Sequence, residues 1–177
     1  MEILSQQQTV KYAGFWRRFL AYLIDSIILG IIEMILFIPI IVIFGLSFFS
    51  WDTLHESEEF VMRSSAYFFQ DEYSIAFLSI YILLIFGMFI FSILINWLYF
   101  ALMESSYRQA TLGKMALGLK VTDIEGKRIS FGKASGRYFG KILSGMILYI
   151  GFIMVAFTEK KQGLHDMLAN TLVIDTY

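Results

Sequence analysis

From Phe19 to Phe49 the chain is apolar at nearly every position, interrupted by Asp25, Glu33 and Pro39, and from Ser74 to Met103 it is apolar again without a single charge. About 20 such residues cross a bilayer core. The two runs therefore predict a first transmembrane helix over 18–49 and a second over 74–103. The first is too long for one upright crossing, and Pro39, whose ring removes a helix hydrogen bond, is expected to end or kink it. Between the spans, residues 50–73 turn polar, with Asp52, Glu56, Glu58, Glu59, Asp71 and Glu72 against Arg63 alone. This stretch predicts an acidic exterior loop, in which the spacing of Phe60, Ser64, Tyr67 and Phe68 fits a short helix lying on the membrane surface or an ordinary loop.

Residues 104–141 reverse the charge: Arg108, Lys114, Lys120, Lys127, Arg128, Lys133, Arg137 and Lys141 outnumber Glu104, Asp123 and Glu125. The positive-inside rule places this segment on the cytoplasmic side, with the 1–16 tail and Lys11, Arg17 and Arg18. Within it, Leu117 to Asp123, then Glu125-Gly126, then Ile129 to Phe131 predict a β-hairpin, and Thr171 to Ile174 reads as a further strand able to pair with Leu119 to Thr122. The apolar run 142–157 is short, broken by Gly145 and Gly151, and flanked by basic residues at both ends. It is expected to form a re-entrant helical hairpin that returns to the cytoplasmic side, followed by a cytoplasmic C-terminal segment, 158–177. The other reading is a third span, which would put the C-terminus outside and forbid the strand pairing.

Composition sharpens this picture. Hydrophobic residues make up 58% of the 177 and charged residues 16%, a membrane-protein balance in a single domain. A net charge of −1 gives no case for nucleic acid. The chain has no cysteine and only His55 and His165, so neither a disulfide nor a metal site is predicted. No nucleophile motif, metal set or phosphate-binding loop points to an enzyme, a catalytic residue or a cofactor.

Three groups stand out against the apolar background. Arg18 and Asp25 share a face of the first helix about two turns, ~10 Å, apart, too far for direct contact. Arg17 and Arg18 have a plain reading as anchors that snorkel to the headgroups. Asp25, a carboxylate inside the span, needs a polar partner or a water-filled cavity. Asn96, at similar depth on the second helix, could hydrogen-bond to it. Glu33 lies ~12 Å further along the first helix and needs either a proton or a polar cavity of its own. His165-Asp166 opens a short helix after a loop. Adjacent helical residues point ~100° apart, so the pair is poor ground for catalysis.

The stretch Gly14 to Asp25, the segment Ala110-Thr111-Leu112-Gly113-Lys114-Met115-Ala116-Leu117-Gly118-Leu119-Lys120-Val121 and the motif Gln162-Gly163-Leu164-His165-Asp166 together resemble the RDD family of small, mostly prokaryotic membrane proteins. The resemblance implies that Arg18, Asp25 and Asp166 are the family's name-giving arginine and two aspartates. It also implies transport of unidentified ligands, cation/proton antiport in some members, or regulation of a membrane partner in others. Glu33 and the acidic loop lie outside the family's motifs.

The expected fold is an all-α membrane protein with two transmembrane helices, a short re-entrant helical hairpin or third span, and a small cytoplasmic β element. The expected function is a small transporter or transport subunit for monovalent cations or protons in the cell membrane. Asp25 would hold the ion, and Arg18 and Asp166 would form a charge network at the cytoplasmic mouth, with Glu33, Asn96 and His165 secondary. Two spans cannot enclose a conduction path, so this reading requires a homo-oligomer in the lipid bilayer. The alternative is an accessory protein that binds and regulates another membrane protein.

Overall fold

The computed structural model describes residues 11–55, 72–147 and 150–176. Two long helices carry the apolar runs: α1, Phe15–His55, and α2, Glu72–Ser105. Their spanning stretches are Phe15–Ser47 and Ile75–Ser105. Both are apolar on every side, the pattern of helices whose surroundings are themselves apolar. The surface helix considered for 60–68 lies outside the described residues.

Of the two outcomes expected at Pro39, an end or a kink, the first is corrected: α1 runs through Pro39 as one helix. One backbone bond is lost at the imide. Ending the helix inside hydrocarbon would expose several unpaired backbone groups, each costing far more. Continuation is therefore the cheaper arrangement.

The chain divides into two compact units. The first, Leu29–Leu94, is built only from the two apolar helices. Antiparallel contacts define it: Phe37 packs on Phe91 (ring centroids 6.3 Å apart), Phe44 on Phe77 (4.5 Å), and Ser92 donates a 2.7 Å hydrogen bond to Glu33.

The second unit comprises Met1–Ile28 and Ile95–Tyr177. After α2 come a short helix α3 (Leu112–Ala116), strand β1 (Leu119–Asp123), α4 (Phe131–Met146), α5 (Ile150–Ile153) continued by a 3-10 turn (Met154–Ala156), α6 (Leu164–Leu168) and β2 (Thr171–Asp175). The strands pair antiparallel, with Leu119 opposite Asp175, Val121 opposite Val173 and Asp123 opposite Thr171. The segment leading into α1 joins the far edge of β2: the Ala13 amide donates to the Val173 carbonyl, and the Asp175 amide to that of Lys11. Ala13, Ala21, Ala101 and Ala134 fill the core with Leu119, Val121, Ile129 and Val173. Small side chains there let helices and sheet approach closely.

The predicted hairpin after β1 does not form as a pair of strands. The turn is present: Gly126 takes φ +81°, and the Asp123 carboxylate accepts from the amides of Glu125 and Lys127. Beyond it, Ser130 caps α4 by accepting from the Lys133 amide. The edge of β1 away from β2 is occupied by Gln109, whose carbonyl accepts from the Val121 amide and whose side chain donates back to the Val121 carbonyl. Among the described residues Gln109 thus takes the place a further strand would have at Val121.

The short apolar pair is also longer than expected. It starts at Phe131 rather than Ile142, because the basic residues before 142 belong to an amphipathic helix whose buried face is Ala134, Arg137, Gly140 and Ser144. The chain then turns by 117° into α5. β1 precedes this excursion, β2 follows it, and the two are hydrogen-bonded to each other. The flanks of this bent helix pair therefore meet in one sheet, the strand pairing that a third span was expected to forbid.

Candidate functional site

Asp25 is fully buried, and its carboxylate accepts three hydrogen bonds: from the Tyr99 hydroxyl (2.7 Å), the Thr111 hydroxyl (2.6 Å) and the Gly113 amide (2.7 Å). These donors come from α2 and from the first turn of α3. Thr111 is also the N-cap of α3, accepting from the Lys114 amide. Gly113 is required sterically. A Cβ there would lie 2.1 Å from the Ala21 carbonyl oxygen and 3.0 Å from the Asp25 carboxyl carbon. The carboxylate thus bolts the loop after α2 onto α1 by charge-assisted hydrogen bonds. Neither Arg18 nor Asn96 is among its partners.

A separate network of charges lies in the same unit. Asp166, on α6, is enclosed by Arg18 of α1 and Arg137 of α4. Arg137 reaches Asp166 Oδ1 with Nη2 at 2.6 Å and Nε at 2.7 Å, while Arg18 bonds Oδ2. Through its remaining nitrogen Arg137 bonds Glu104 Oε2 at 2.8 Å. Glu104, at the end of α2, also pairs with Lys114, and with Lys141 at 3.5 Å. Four cations, Arg18, Arg137, Lys114 and Lys141, therefore face two carboxylates, Asp166 and Glu104. Arg137, Glu104 and Asp166 are no more than 2% exposed. Arg137 is the hub because its planar fork can serve two carboxylates at once.

Burial controls the protonation of the neighbouring groups. It would raise the Asp166 carboxyl, but Arg137 and Arg18 outweigh it and hold the group well below the usual carboxylate range. Burial pushes the Lys114 ammonium down to about 7 despite the pull of Glu104. His165 is lowered by burial to about 3, more than Asp166 at 3.5 Å can offset, so it sits neutral, with Nδ1 unpartnered, against the Phe152 ring. α4 and α6 reach this distance at Gly140, where a Cβ would lie 3.1 Å from the His165 Cα.

The residues singled out in the sequence are distributed as follows. Arg18 and Asp166 are brought together as an ion pair. Asp25 sits apart from that pair with its own donors. Glu33 belongs to the Leu29–Leu94 unit and accepts from Ser92. Arg17, read as a headgroup anchor, instead binds the Asp175 carboxylate and the Leu117 carbonyl, tying α1 to the sheet. Sequence reasoning missed Glu104, Lys114, Arg137 and Lys141 as network members, and Tyr99 and Thr111 as ligands of Asp25. The usable signal for two of them was the i, i+4 spacing of Arg137 and Lys141 beside the small residues Ala134, Gly140 and Ser144. Among the described residues no group of three or more His, Asp or Glu side chains is placed to hold a metal ion.

The chain is 42% identical over 164 residues to the uncharacterized protein YxaI of Bacillus subtilis (strain 168), a match covering 93% of this chain and 97% of that one. It is 32% identical over 172 residues to the uncharacterized membrane protein YteJ of the same organism, covering 94% and 82%. No solved structure matches it. The RDD family model matches residues 12–170, the whole of the charge network and both spans included. The chain is a membrane protein of the RDD family.

Proposed function

We propose that this chain is a small, non-enzymatic transport subunit that moves protons or monovalent cations across the cell membrane as a homo-oligomer. The observation that carries the reading is Glu33, a carboxyl within a spanning helix that accepts a hydrogen bond from the Ser92 hydroxyl of the other helix. Intramembrane carboxyls are expensive to keep and characteristically serve ion or proton pathways. Asp25 is the other carboxyl within the Phe15–Ser47 stretch. Its three donors leave it the work of fixing the loop, so Glu33 is the stronger candidate. An oligomer is needed because the two spans of one chain, Phe15–Ser47 and Ile75–Ser105, cannot enclose a conduction path by themselves.

The N-terminus is assigned to the cytoplasm. Lys11 to Arg18 and the basic residues from Arg108 to Lys141 all belong to the unit held by the β1–β2 sheet, and the positive-inside rule turns that face inward. A cysteine placed at Ser130 should escape an impermeant thiol reagent applied outside cells, while one at Ser57 should react.

Purified protein in proteoliposomes should dissipate an imposed proton or cation gradient, and Glu33→Gln should abolish the flux without lowering the yield of folded protein. No flux in the wild type, together with stoichiometric co-purification of one membrane partner, would replace this reading with the accessory one. That second reading draws on the exposed apolar faces of α1 and α2, where Ile35 and Leu83 are among the most open side chains.

A further inference from the structure

The charge network holds two more cations than carboxylates. In a dry site an unbalanced charge is costly, and the arginines cannot shed a proton to correct it. Arg18 adds a second observation: its Nη2 is buried and has no hydrogen-bond partner, although the rest of the guanidinium is committed to Asp166 and the Ala13 carbonyl. Lys141 is similarly under-used. Its ammonium makes one long ion pair to Glu104 and sits 4.2 Å above the Phe100 ring.

Arg18 and Lys141 are also the most open members of the network, their side chains 11% and 17% exposed. They mark its rim. Tyr22, one turn beyond Arg18, stacks on the same Phe100 ring and is itself exposed. Exposed Trp16 and Phe19 flank Arg18 on α1, the placement of an aromatic belt at headgroup level. The one uncommitted guanidinium nitrogen of Arg18 and the Lys141 ammonium offer N–H donors to the oxygens of a phosphate.

We propose that the rim between Arg18 and Lys141 binds a phosphate-bearing anion, supplied either by the headgroup of an anionic lipid or by free inorganic phosphate. The bound anion satisfies Arg18 Nη2 and offsets the surplus charge. This site is independent of the proton path assigned to Glu33. The competing way to remove the surplus is loss of the Lys114 proton.

The test uses the purified full-length chain in an uncharged detergent and a phosphate-free buffer. Melting temperature is followed on adding phosphatidylglycerol, phosphatidylcholine or inorganic phosphate, with native mass spectrometry to count retained lipid. At about a hundredfold excess over Kd the binding anion should raise the melting temperature by roughly 5–10 °C. Stabilisation by phosphatidylglycerol alone identifies a lipid site, and stabilisation by inorganic phosphate identifies a free-anion site. Lys141→Gln, at the rim and weakly paired, should keep the fold and lose at least half of the shift. Arg18→Lys, which retains the cation but loses the uncommitted guanidinium nitrogen, should do the same. Lys127→Gln, at an exposed pair with Glu125, should leave the shift intact. Equal response to phosphatidylglycerol and phosphatidylcholine with none to phosphate, or a melting temperature that follows only pH between about 6 and 9, would overturn the proposal.

Discussion

In the Leu29–Leu94 unit the helices turn large apolar side chains outward, with Ser92 of one bonding Glu33 of the other. The unit formed by Met1–Ile28 and Ile95–Tyr177 does the reverse. It buries Asp25, Glu104, Arg137 and Asp166 and packs them among alanines and glycines. The first is stabilised chiefly by a medium that penalises any broken backbone bond. The second depends on a particular arrangement of charges, each costly unless its partner is in place. Substitutions should therefore be tolerated in the first unit and punished in the second.

The largest effect is expected at Arg137. Replacement by leucine leaves Glu104 and Asp166 without their shared cation, and removing one partner from such a site costs roughly 3–5 kcal/mol. Thermal unfolding in detergent should show it. A loss no greater than that of a lipid-facing substitution would erase the contrast between the units. Next comes Gly113→Ala. The added methyl meets the Ala21 carbonyl at 2.1 Å, so α3 must lift away and Asp25 loses its donors, at about 1–3 kcal/mol. Protease susceptibility of the 106–118 segment should rise with it.

His165 supplies a pH dependence. Its folded-state value is lowered to about 3, so between pH 6.5 and 3 the unfolded chain binds the proton and the folded chain does not. Stability therefore falls as the medium is acidified through that window. The contribution lost between pH 6.5 and about pH 5 is roughly 1–2 kcal/mol. His165→Gln should show a shallower acid slope than wild type, and identical slopes would mean that the imidazole is not held neutral. Smallest is Ile35→Ala on the outward face of α1, expected within about 0.5 kcal/mol of wild type.

The legibility of the sequence divides along the same line. The two spans follow from apolar runs, and the pairing of β1 with β2 follows from alternating residues and the flanking charges of the short apolar segment. Pro39 does not end α1, because helix-breaking rules assume water to receive the freed backbone groups. In the polar unit, Arg18, Asp25 and Asp166 are visible through their motifs. Arg137 and Lys141 are not, because a basic segment looks the same whether its residues mark a membrane face or bond a buried carboxylate. The missing term is tertiary: Glu104 closes α2 at the point where α4 and α3 return. The hairpin failed for a similar reason, since Gln109, ten residues before β1, had already taken the strand's free edge.

The central claim is that Arg18 and Asp166 act as one coupled element of a buried network. A double-mutant cycle tests it most directly, comparing the stability in detergent of Arg18→Ala, Asp166→Ala and the double variant. The account predicts that the double variant loses less than the sum of the single losses, with a coupling of about 0.5–3 kcal/mol. Strictly additive losses would contradict it.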